Sequence, residues 1–271
     1  MAMWIHDEGM AQGSRVCQED DYGVFELPPE LGAGDLLLVL ADGMGGEHGG
    51  ALASALAVRE FIKTYDAVSA ATIPERLEQT LLHVNTQMGR EAATDPEALS
   101  GMGSTLLAVV LAEEGLYWIS VGDSPLWLWR RGRLRRLNED HAYRSILARR
   151  VSAGEMSADA AARHPDRNAL MSAVTGDALD LVDLSRRAHA LKEGDQILLA
   201  SDGVLTLSEQ QIAAMLKNQP VDGTPCQALL AAVVAYKRPH QDNITVLWAR
   251  AASFSTNPSW WRRVWGRLNS N

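Results

Sequence analysis

Residues 36–43 read LLLVLADG, a run of six apolar residues that stops at Asp42 and Gly43. Short, continuous apolar runs bounded by turn residues are typical of strands that are buried on both faces. Two further apolar runs stop in the same way, residues 117–122 at Asp123-Ser124 and residues 197–201 at Asp202-Gly203. The chain therefore repeats one pattern, a predicted core strand with an acidic end.

Two more aspartates come just before apolar runs, Asp20 before residues 22–27 and Asp242 before residues 244–249. In an antiparallel sheet the end of one strand lies beside the start of its neighbour, so we expect all five carboxylates at one sheet edge. An Asp-Gly pair after an apolar run is also the strongest hairpin-turn signal. Unpaired carboxylates, however, would repel by about 4 kcal/mol per pair at 4 Å and an effective dielectric constant of 20. The repetition therefore favours a cation site over plain turns.

Charge and cysteine content narrow the class of protein. The chain has 271 residues, 46% of them hydrophobic, and a formal net charge of −9. These values predict one folded unit without the basic face that nucleic-acid binding needs. The two cysteines, Cys17 and Cys226, are far apart, which indicates a reducing compartment and no zinc site. We expect Cys17 to be buried as a small apolar residue.

No targeting segment is predicted. Residues 1–10 lack the basic start and the apolar core of a signal peptide. No apolar run approaches the roughly 20 residues that a membrane-spanning helix needs. We therefore expect a soluble, cytoplasmic protein without an integral membrane segment.

Helices and strands are predicted in separate blocks. Residues 51–65 carry one broad apolar face, and Pro74 marks the first position of a second helix that extends to residue 90. Ser208 and Gln211 form the pattern of a capping box before a helix to residue 218, and another helix follows at residues 225–236. A meander of strands is predicted at residues 106–112, 117–121, 126–130 and 134–137. This segregation indicates an α+β layered sandwich rather than a doubly wound parallel sheet.

The acidic strand ends offer only oxygen ligands. Mg²⁺ and Mn²⁺ prefer carboxylate, carbonyl and water oxygens, whereas zinc would need His or Cys. Gly43 and Gly203 allow the backbone to approach closely, so the Gly43 carbonyl can itself be a ligand. Two such ions about 3.5 to 4 Å apart can bridge a water, lower its pKa and clamp a phosphoryl group for in-line attack.

At this point the sequence resembles the bacterial branch of the metal-dependent Ser/Thr protein phosphatases, the PPM or type 2C family. The resemblance covers about residues 10 to 250, with the motifs in the family's order, and the combination is highly specific. The motifs are RVCQED at 15–20, DGMGG at 42–46 with Gly50, GST at 103–105, VGDS at 121–124, SDG at 201–203 and DNITV at 242–246.

The resemblance implies a fold and a set of site residues. The fold is a four-layer α-β-β-α sandwich, two antiparallel sheets flanked by helix pairs. The cofactors are two Mn²⁺ or Mg²⁺ ions, with a third ion in some bacterial members. Arg15 matches the phosphate-binding arginine, for which a plain salt bridge to Glu19 or Asp20 is the alternative. The metal ligands are Asp42 and the Gly43 carbonyl for both ions, Asp20 for one, Asp202 and Asp242 for the other, and Asp123 with Asp202 for the third.

The resemblance also divides the chain. Residues 1–253 are expected to form the phosphatase domain, with a flap beside the active site at about 141–168 made of two short helical pieces. Residues 254–271 form a tail rich in Trp and Arg, with apolar side chains at helical spacing. This tail packs on its own domain, docks a partner or contacts an anionic membrane.

One departure from the family concerns proton transfer. Met44 stands where eukaryotic members commonly have a histidine that is proposed as the general acid. A metal-bound water, His48 and His141 are therefore the candidates for protonating the leaving group.

The implied function is hydrolysis of phosphoserine and phosphothreonine on proteins, with the substrates of a bacterial Ser/Thr kinase, or that kinase itself, as partners. Two alternatives belong to other classes. A non-catalytic phosphoprotein-binding pseudophosphatase would usually lack a metal ligand, and none is missing here. A metal-dependent phosphodiesterase or nuclease is disfavoured by the acidic net charge.

Overall fold

Two antiparallel sheets form the centre of the molecule in the computed structural model, which describes residues 3–217, 219 and 223–253, without the side chains of residues 3, 46–48 and 252–253. One sheet has the strand order β1-β11-β10-β7-β8, and the other has the order β2-β3-β5-β6-β9, with β4 paired to β3. The strands are β1 Met3–Ala11, β2 Asp20–Glu26, β3 Leu36–Met44, β4 Gly103–Ser104, β5 Leu106–Ala112, β6 Gly115–Val121, β7 Leu126–Arg130, β8 Arg133–Arg136, β9 Asp183–Leu184, β10 Gln196–Ala200 and β11 Ile244–Ser253.

Helices cover the outer face of each sheet. Helices α1 and α2 pack on the sheet that contains β3, and α5 and α6 pack on the sheet that contains β11. The remaining pair, α3 and α4, lies in the segment predicted as the flap. The helices are α1 Gly46–Ala67, α2 Ile73–Ala92, α3 Tyr143–Ser152, α4 Ala158–Ala162, α5 Glu209–Lys217 and α6 Pro225–Val234.

Three apolar clusters separate these layers, and the predicted α+β sandwich is confirmed. One cluster lies between helices α1 and α2 and the sheet that contains β3. Another lies between the two sheets, and a third lies between helices α5 and α6 and the sheet that contains β11. Residues 36–41 and the whole of β5 are buried, as expected for strands covered on both faces. The inner faces of the two sheets meet through alternate side chains such as Leu38, Val109 and Leu247.

Local capping fixes where two of the helices start. Ser208 Oγ accepts a hydrogen bond from the Gln211 N–H, and Gln211 Oε1 accepts one from the Ser208 N–H, so the predicted capping box is confirmed. A second capping box joins Thr72 and Glu75 at the start of α2. As a result α2 begins at Ile73, and Pro74 occupies its second position rather than the predicted first.

The strand β1 was missed by sequence reasoning. It pairs along its whole length with β11 at the edge of its sheet. Its sequence mixes His6, Asp7, Glu8 and Gly9 with apolar residues, because an edge strand is only half covered. Its partner lies at the opposite end of the chain, so no local pattern indicates the pairing.

Candidate active site

The five predicted aspartates lie together at one end of the sandwich. Asp20 and Asp42 are direct neighbours across the β2–β3 pairing. Asp123 follows β6, whereas Asp202 follows β10 and Asp242 precedes β11 in the other sheet. The expectation of a single sheet edge is therefore wrong. Both sheets contribute, because the strands that carry Asp202 and Asp242 pair with β1 and β7 instead of β3.

Asp42 lies inside a strand and not in a turn. β3 continues through Gly43 and Met44, which pair with β4, so a hairpin at this Asp-Gly is excluded. The Asp42 N–H donates to Thr105 Oγ1 at 3.0 Å, and the Asp42 carbonyl accepts from the Thr105 N–H at 2.8 Å. The GST motif at 103–105 thus fixes the backbone that carries Asp42.

Gly43 is required by a close approach of three chain segments. Its N–H donates to the Glu19 carbonyl at 2.9 Å. A Cβ at this position would collide with the Gly50 carbonyl and crowd the Glu19 carbonyl. The glycine thus makes room for the protein's own backbone, and the loop before β2 lies directly against the acidic strand end.

Asp20 is held by two hydroxyl groups from the opposite sheet. Its Oδ2 accepts hydrogen bonds from Ser201 Oγ at 2.7 Å and from Thr245 Oγ1 at 2.8 Å. The Ser201 Oγ in turn accepts from the Thr245 N–H at 2.9 Å. Sequence reasoning quoted these two residues within motifs but gave them no role. A hydroxyl at the end of a buried strand was the available signal.

Burial, together with crowded negative charge, raises the pKa values of three of these carboxyl groups. Burial, followed by the charges of Asp20, Asp202, Asp123 and Asp242, raises the pKa of Asp42 well above its usual range. Burial raises the pKa of Asp20 to about 6, against the opposing effect of its two hydroxyl partners. Burial and then the charges of Asp123 and Asp242 raise the pKa of Asp202 to about 7. A bound cation would reverse these shifts, because it stabilises the ionised form.

Arg15 lies at the rim of the cluster. Its Nη2 donates to Asp242 Oδ2 at 2.7 Å, and its side chain is 51% exposed. The ion pair thus involves neither Glu19 nor Asp20, the partners that sequence reasoning considered. Asn243 positions the loop that carries Arg15, since its amide donates to the Gln12 and Cys17 carbonyls at 2.8 and 3.0 Å. Sequence reasoning missed this role of Asn243.

Cys17, in the same loop, is exposed, so the expectation that it is buried is wrong. The loop turns its side chains outward because its backbone is tied inward to Asn243. Cys226 is buried under β1, where its Sγ donates to the Asp7 carbonyl at 3.2 Å.

Asp123 is buried and paired with a cation from the flap. Arg144 Nη2, in the first turn of α3, donates to Asp123 Oδ2 at 2.9 Å. Burial raises the pKa of Asp123, and Arg144 opposes that shift. The motif at 121–124 gave no sign of this partner.

A cleft of about 460 Å³ opens between these residues. Its floor is acidic, and Arg15 stands at its rim. Asn168, at the end of the segment predicted as the flap, and Leu170 just after it form part of its wall. Its size suits a phosphorylated side chain together with ions and water. The other lining residues include Asp42, Gly43, Met44, Asp123, Asp202, Asp242 and Asn243.

His141 does not meet the requirements of a general acid. It is buried outside the cleft lining, and its Nδ1 accepts a hydrogen bond from the Gly122 N–H at 3.2 Å. Burial lowers its pKa, so the ring is neutral near pH 7. The side chain of His48, the other candidate, lies outside the described residues.

The donor set fits hard divalent cations. In the described part of the chain, no group of three His, Cys, Asp or Glu side chains is by itself arranged around one ion. Carboxylates from both sheets instead surround the cleft together with the Gly43 backbone. Mn²⁺ and Mg²⁺ suit such a site, because they complete their shells with carbonyl and water oxygens.

The two-sheet sandwich and its acidic cleft bordered by an arginine agree with the expected class, the phosphatases that use divalent metals. The family model described as "Protein phosphatase 2C" matches residues 14–241. The chain therefore belongs to the protein phosphatase 2C family.

Similar proteins agree with this assignment. The serine/threonine phosphatase stp of Listeria monocytogenes is 30% identical over 233 residues, which cover 84% of this chain and 88% of that protein. The crystal structure of the Mycobacterium tuberculosis serine/threonine phosphatase PstP/Ppp has a TM-score of 0.76 at 27% identity, and the match covers 92% of this chain and 99% of that chain. The PstP catalytic domain in complex with two manganese ions has a TM-score of 0.73 at 25% identity, with the same coverage of 92% and 99%.

These comparisons confirm the prediction of a phosphoprotein phosphatase and give no support to a non-catalytic binding module. They do not test the individual site residues. Within the described ranges, no helix is long and apolar enough to cross a membrane. The predicted tail at 254–271 lies outside the described residues, and its three interpretations stay predictions.

Proposed function

We propose that this protein removes phosphate from phosphoserine and phosphothreonine on other proteins, at a centre that binds two Mn²⁺ or Mg²⁺ ions. The observation that carries this proposal is the convergence of Asp42, Asp202 and Asp242 from two sheets on one cleft, with Asp20 paired beside Asp42 and Arg15 at the rim. The raised pKa values of Asp20, Asp42 and Asp202 support the proposal, because a bound cation would stabilise their ionised forms near neutral pH.

Each ligand has a defined place in the proposal. Asp42 and the Gly43 carbonyl would bind both ions, Asp20 one ion, and Asp202 with Asp242 the other. Asp123, together with Asp202, would bind a third ion. When bound, such ions supply an activated water and neutralise the charge of the phosphoryl group.

The chain's own residues orient the reactants. The Arg15 guanidinium, exposed and near the cleft floor, would grip two phosphate oxygens through its planar fork. Ser201 and Thr245 keep Asp20 oriented by donating to one of its oxygens. Since His141 is buried and neutral, the proton for the leaving oxygen would come from His48 or from water in the cleft.

The same proposal covers the organisation of the chain and its partners. Residues 1–253 would form the phosphatase domain, with the flap at about 141–168 as one wall of the cleft. The substrates would be phosphoproteins made by a bacterial Ser/Thr kinase that this phosphatase opposes in the cytoplasm, or that kinase itself. The tail at 254–271 would pack on its own domain, dock a partner or contact an anionic membrane. Deleting residues 257–271 separates the first two cases: lower thermal stability indicates packing on the domain, whereas unchanged stability with lower activity in cells indicates a partner.

Hydrolysis of phosphopeptides tests the function directly. The purified full chain should release phosphate from phosphoserine and phosphothreonine peptides with Mn²⁺ and stop when a chelator is added. Asp42→Asn should lower kcat/KM by about 10³-fold, since several kcal/mol of transition-state stabilisation depend on the ions. The control is Asp66→Asn, an exposed aspartate at the end of α1, which should behave as the wild type. Wild-type rates in Asp42→Asn, or equal rates on a phosphodiester, would contradict the proposal.

A further inference from the structure

Arg144 makes contacts that connect the flap to the acidic cleft. Its Nη2 donates to Asp123 Oδ2 at 2.9 Å, and its Nε donates to Asp140 Oδ2 at 2.8 Å. Its Nη1 lies 3.5 Å from Asn168 Oδ1, on the wall of the cleft. The side chain is only 17% exposed, so these pairs are largely shielded from solvent.

A second arginine, Arg136, lies near Asp123 but does not bind its carboxylate. Arg136 Nη1 donates to Asp140 Oδ2 at 3.0 Å, and its Nη2 donates to the backbone carbonyl of Asp123 at 2.9 Å. Arg136 therefore binds the main chain at Asp123, whereas Arg144 reaches the carboxylate oxygen itself. Arg144 thus already occupies, with a full positive charge, one of the oxygens that the proposed third ion would need.

Backbone contacts place Arg144 at the base of the predicted flap, which we define as residues 143–144 and 167–169. The Arg144 N–H donates to the Arg167 carbonyl at 2.8 Å, and the Tyr143 N–H donates to the Ala169 carbonyl at 2.9 Å. Asn168 and Leu170, the two neighbours of Ala169 in sequence, line the cleft. A displacement of the Arg144 side chain from Asp123 would therefore be transmitted to the cleft wall.

We propose that Arg144 is a positioning residue that stands in for a divalent ion at Asp123, so that the guanidinium and the third ion exclude each other. The inference rests on the proposed metal centre. Asp42 can bind two ions because Asp20, Asp202 and Asp242 surround it, whereas Asp123 already has the cations Arg144 and Arg136 beside it. A divalent ion on the Asp123 carboxylate would therefore be strongly repelled while Arg144 contacts it. The third ion would thus bind only when Arg144 has left Asp123, and by reciprocity its binding would release the flap base.

Mn²⁺ titration of the chelator-treated full chain by calorimetry tests this exclusion. The variants are Arg144→Gln, Asp123→Asn and the double variant, with Arg150→Gln as the control. Arg150 is also an arginine of the predicted flap, but it is exposed and does not line the cleft. Its Nε lies 3.6 Å from Glu155 Oε2. Circular dichroism establishes that each variant is folded.

Arg144→Gln should bind one more Mn²⁺ than the wild type, or bind its weakest ion about tenfold more tightly. Asp123→Asn should change Mn²⁺ binding little by itself, because Arg144 already occupies that carboxylate, and should abolish the gain in the double variant. A merely structural role of Arg144 would not make the gain depend on Asp123. Arg150→Gln should titrate as the wild type.

Three results would overturn the inference. Unchanged stoichiometry and affinity in Arg144→Gln would do so, as would a gain that persists without Asp123. If no variant binds Mn²⁺, the proposed metal centre fails as well, and this result is distinct from the first two. Should Arg144→Gln not fold, Arg144→Lys replaces it, since its single ammonium cannot reach Asp123 and Asp140 together. It should then show a smaller gain, and no gain would contradict the proposal.

Discussion

The strand ends and the flap border the same cleft but are held in different ways. Asp20 and Asp42 are fixed by strand register and by neutral hydroxyl groups within two buried sheets. The flap is held at its base by charged pairs, in which Arg144 and Arg136 bind Asp123 and Asp140. The difference indicates two roles: the sheets would place the proposed metal ligands, and the predicted flap would shape the wall of the cleft and the access to Asp123.

The largest effect is expected where the sheet scaffold has no spare room. Gly43→Ala should lower the free energy of unfolding by about 3 kcal/mol or more and abolish activity, because a Cβ there meets the Gly50 carbonyl. Urea denaturation measures the change. Gly49→Ala is the matched control, since its Cβ would meet only ordinary contacts with Met102. Equal stability of the two variants would contradict the close approach at Gly43.

The next largest effect is expected when the hydroxyl groups that bind Asp20 are removed. Combining Ser201→Ala with Thr245→Val removes both hydrogen bonds to Asp20 Oδ2. We expect Mn²⁺ affinity and kcat/KM to fall about 10- to 100-fold, as is typical when groups that orient a metal ligand are removed. Calorimetry and phosphopeptide kinetics measure the two quantities. Thr86→Val, which removes an exposed hydroxyl on α2, serves as the control.

The strand-end carboxylates should also make the free energy of unfolding of the metal-free protein depend on pH in an unusual direction. The pKa values of Asp20, about 6, and Asp202, about 7, lie above the usual value near 3.9 in the unfolded chain. The folded state therefore binds protons more tightly, and this stabilisation is complete at low pH and lost as pH rises from about 4 to 7.

Chelator-treated protein should thus lose about 3 to 4 kcal/mol of unfolding free energy between pH 5 and pH 7. Urea denaturation at each pH measures the loss, and saturating Mn²⁺ should abolish it. Stability that rises over this interval without metal would mean that the carboxylates are not crowded.

The smallest effect is expected at the flap wall. Asn168→Ala should raise KM for a phosphopeptide about threefold and leave kcat and tight Mn²⁺ binding nearly unchanged, because one polar contact is worth about 1 kcal/mol or less. Steady-state kinetics combined with calorimetry separates these effects. A large loss of tight metal binding would instead place Asn168 with the strand-end residues.

Sequence reasoning succeeded where composition changes abruptly along one strand. The run of residues 36–41 before Asp42 has no polar residue, and residues 197–201 before Asp202 have only Ser201, so burial and the acidic strand end are both visible locally. The capping box at Ser208 and the hairpins β5–β6 and β7–β8 were also predictable, since their partners are a few residues apart. The prediction of one continuous meander is wrong, because β6 and β7 lie in different sheets.

Contacts between residues far apart in the sequence could not be predicted from the sequence. β1 pairs with β11 at the far end of the chain, and the division of the aspartates between two sheets follows from that pairing. The contact of Arg144 with Asp123 joins a helix to a loop, and no periodicity marks it. Arg15 was identified by motif, but its partner Asp242 lies 227 residues away.

Anomalous diffraction from crystals grown with Mn²⁺ is the most direct test of the central claim. Two manganese peaks should lie in the cleft, both against Asp42, one shared with Asp20 and the other with Asp202 and Asp242. Arg144 should still contact Asp123 at low Mn²⁺ concentration. Crystals with no peak beside Asp42, or with peaks held by other residues, would contradict the account.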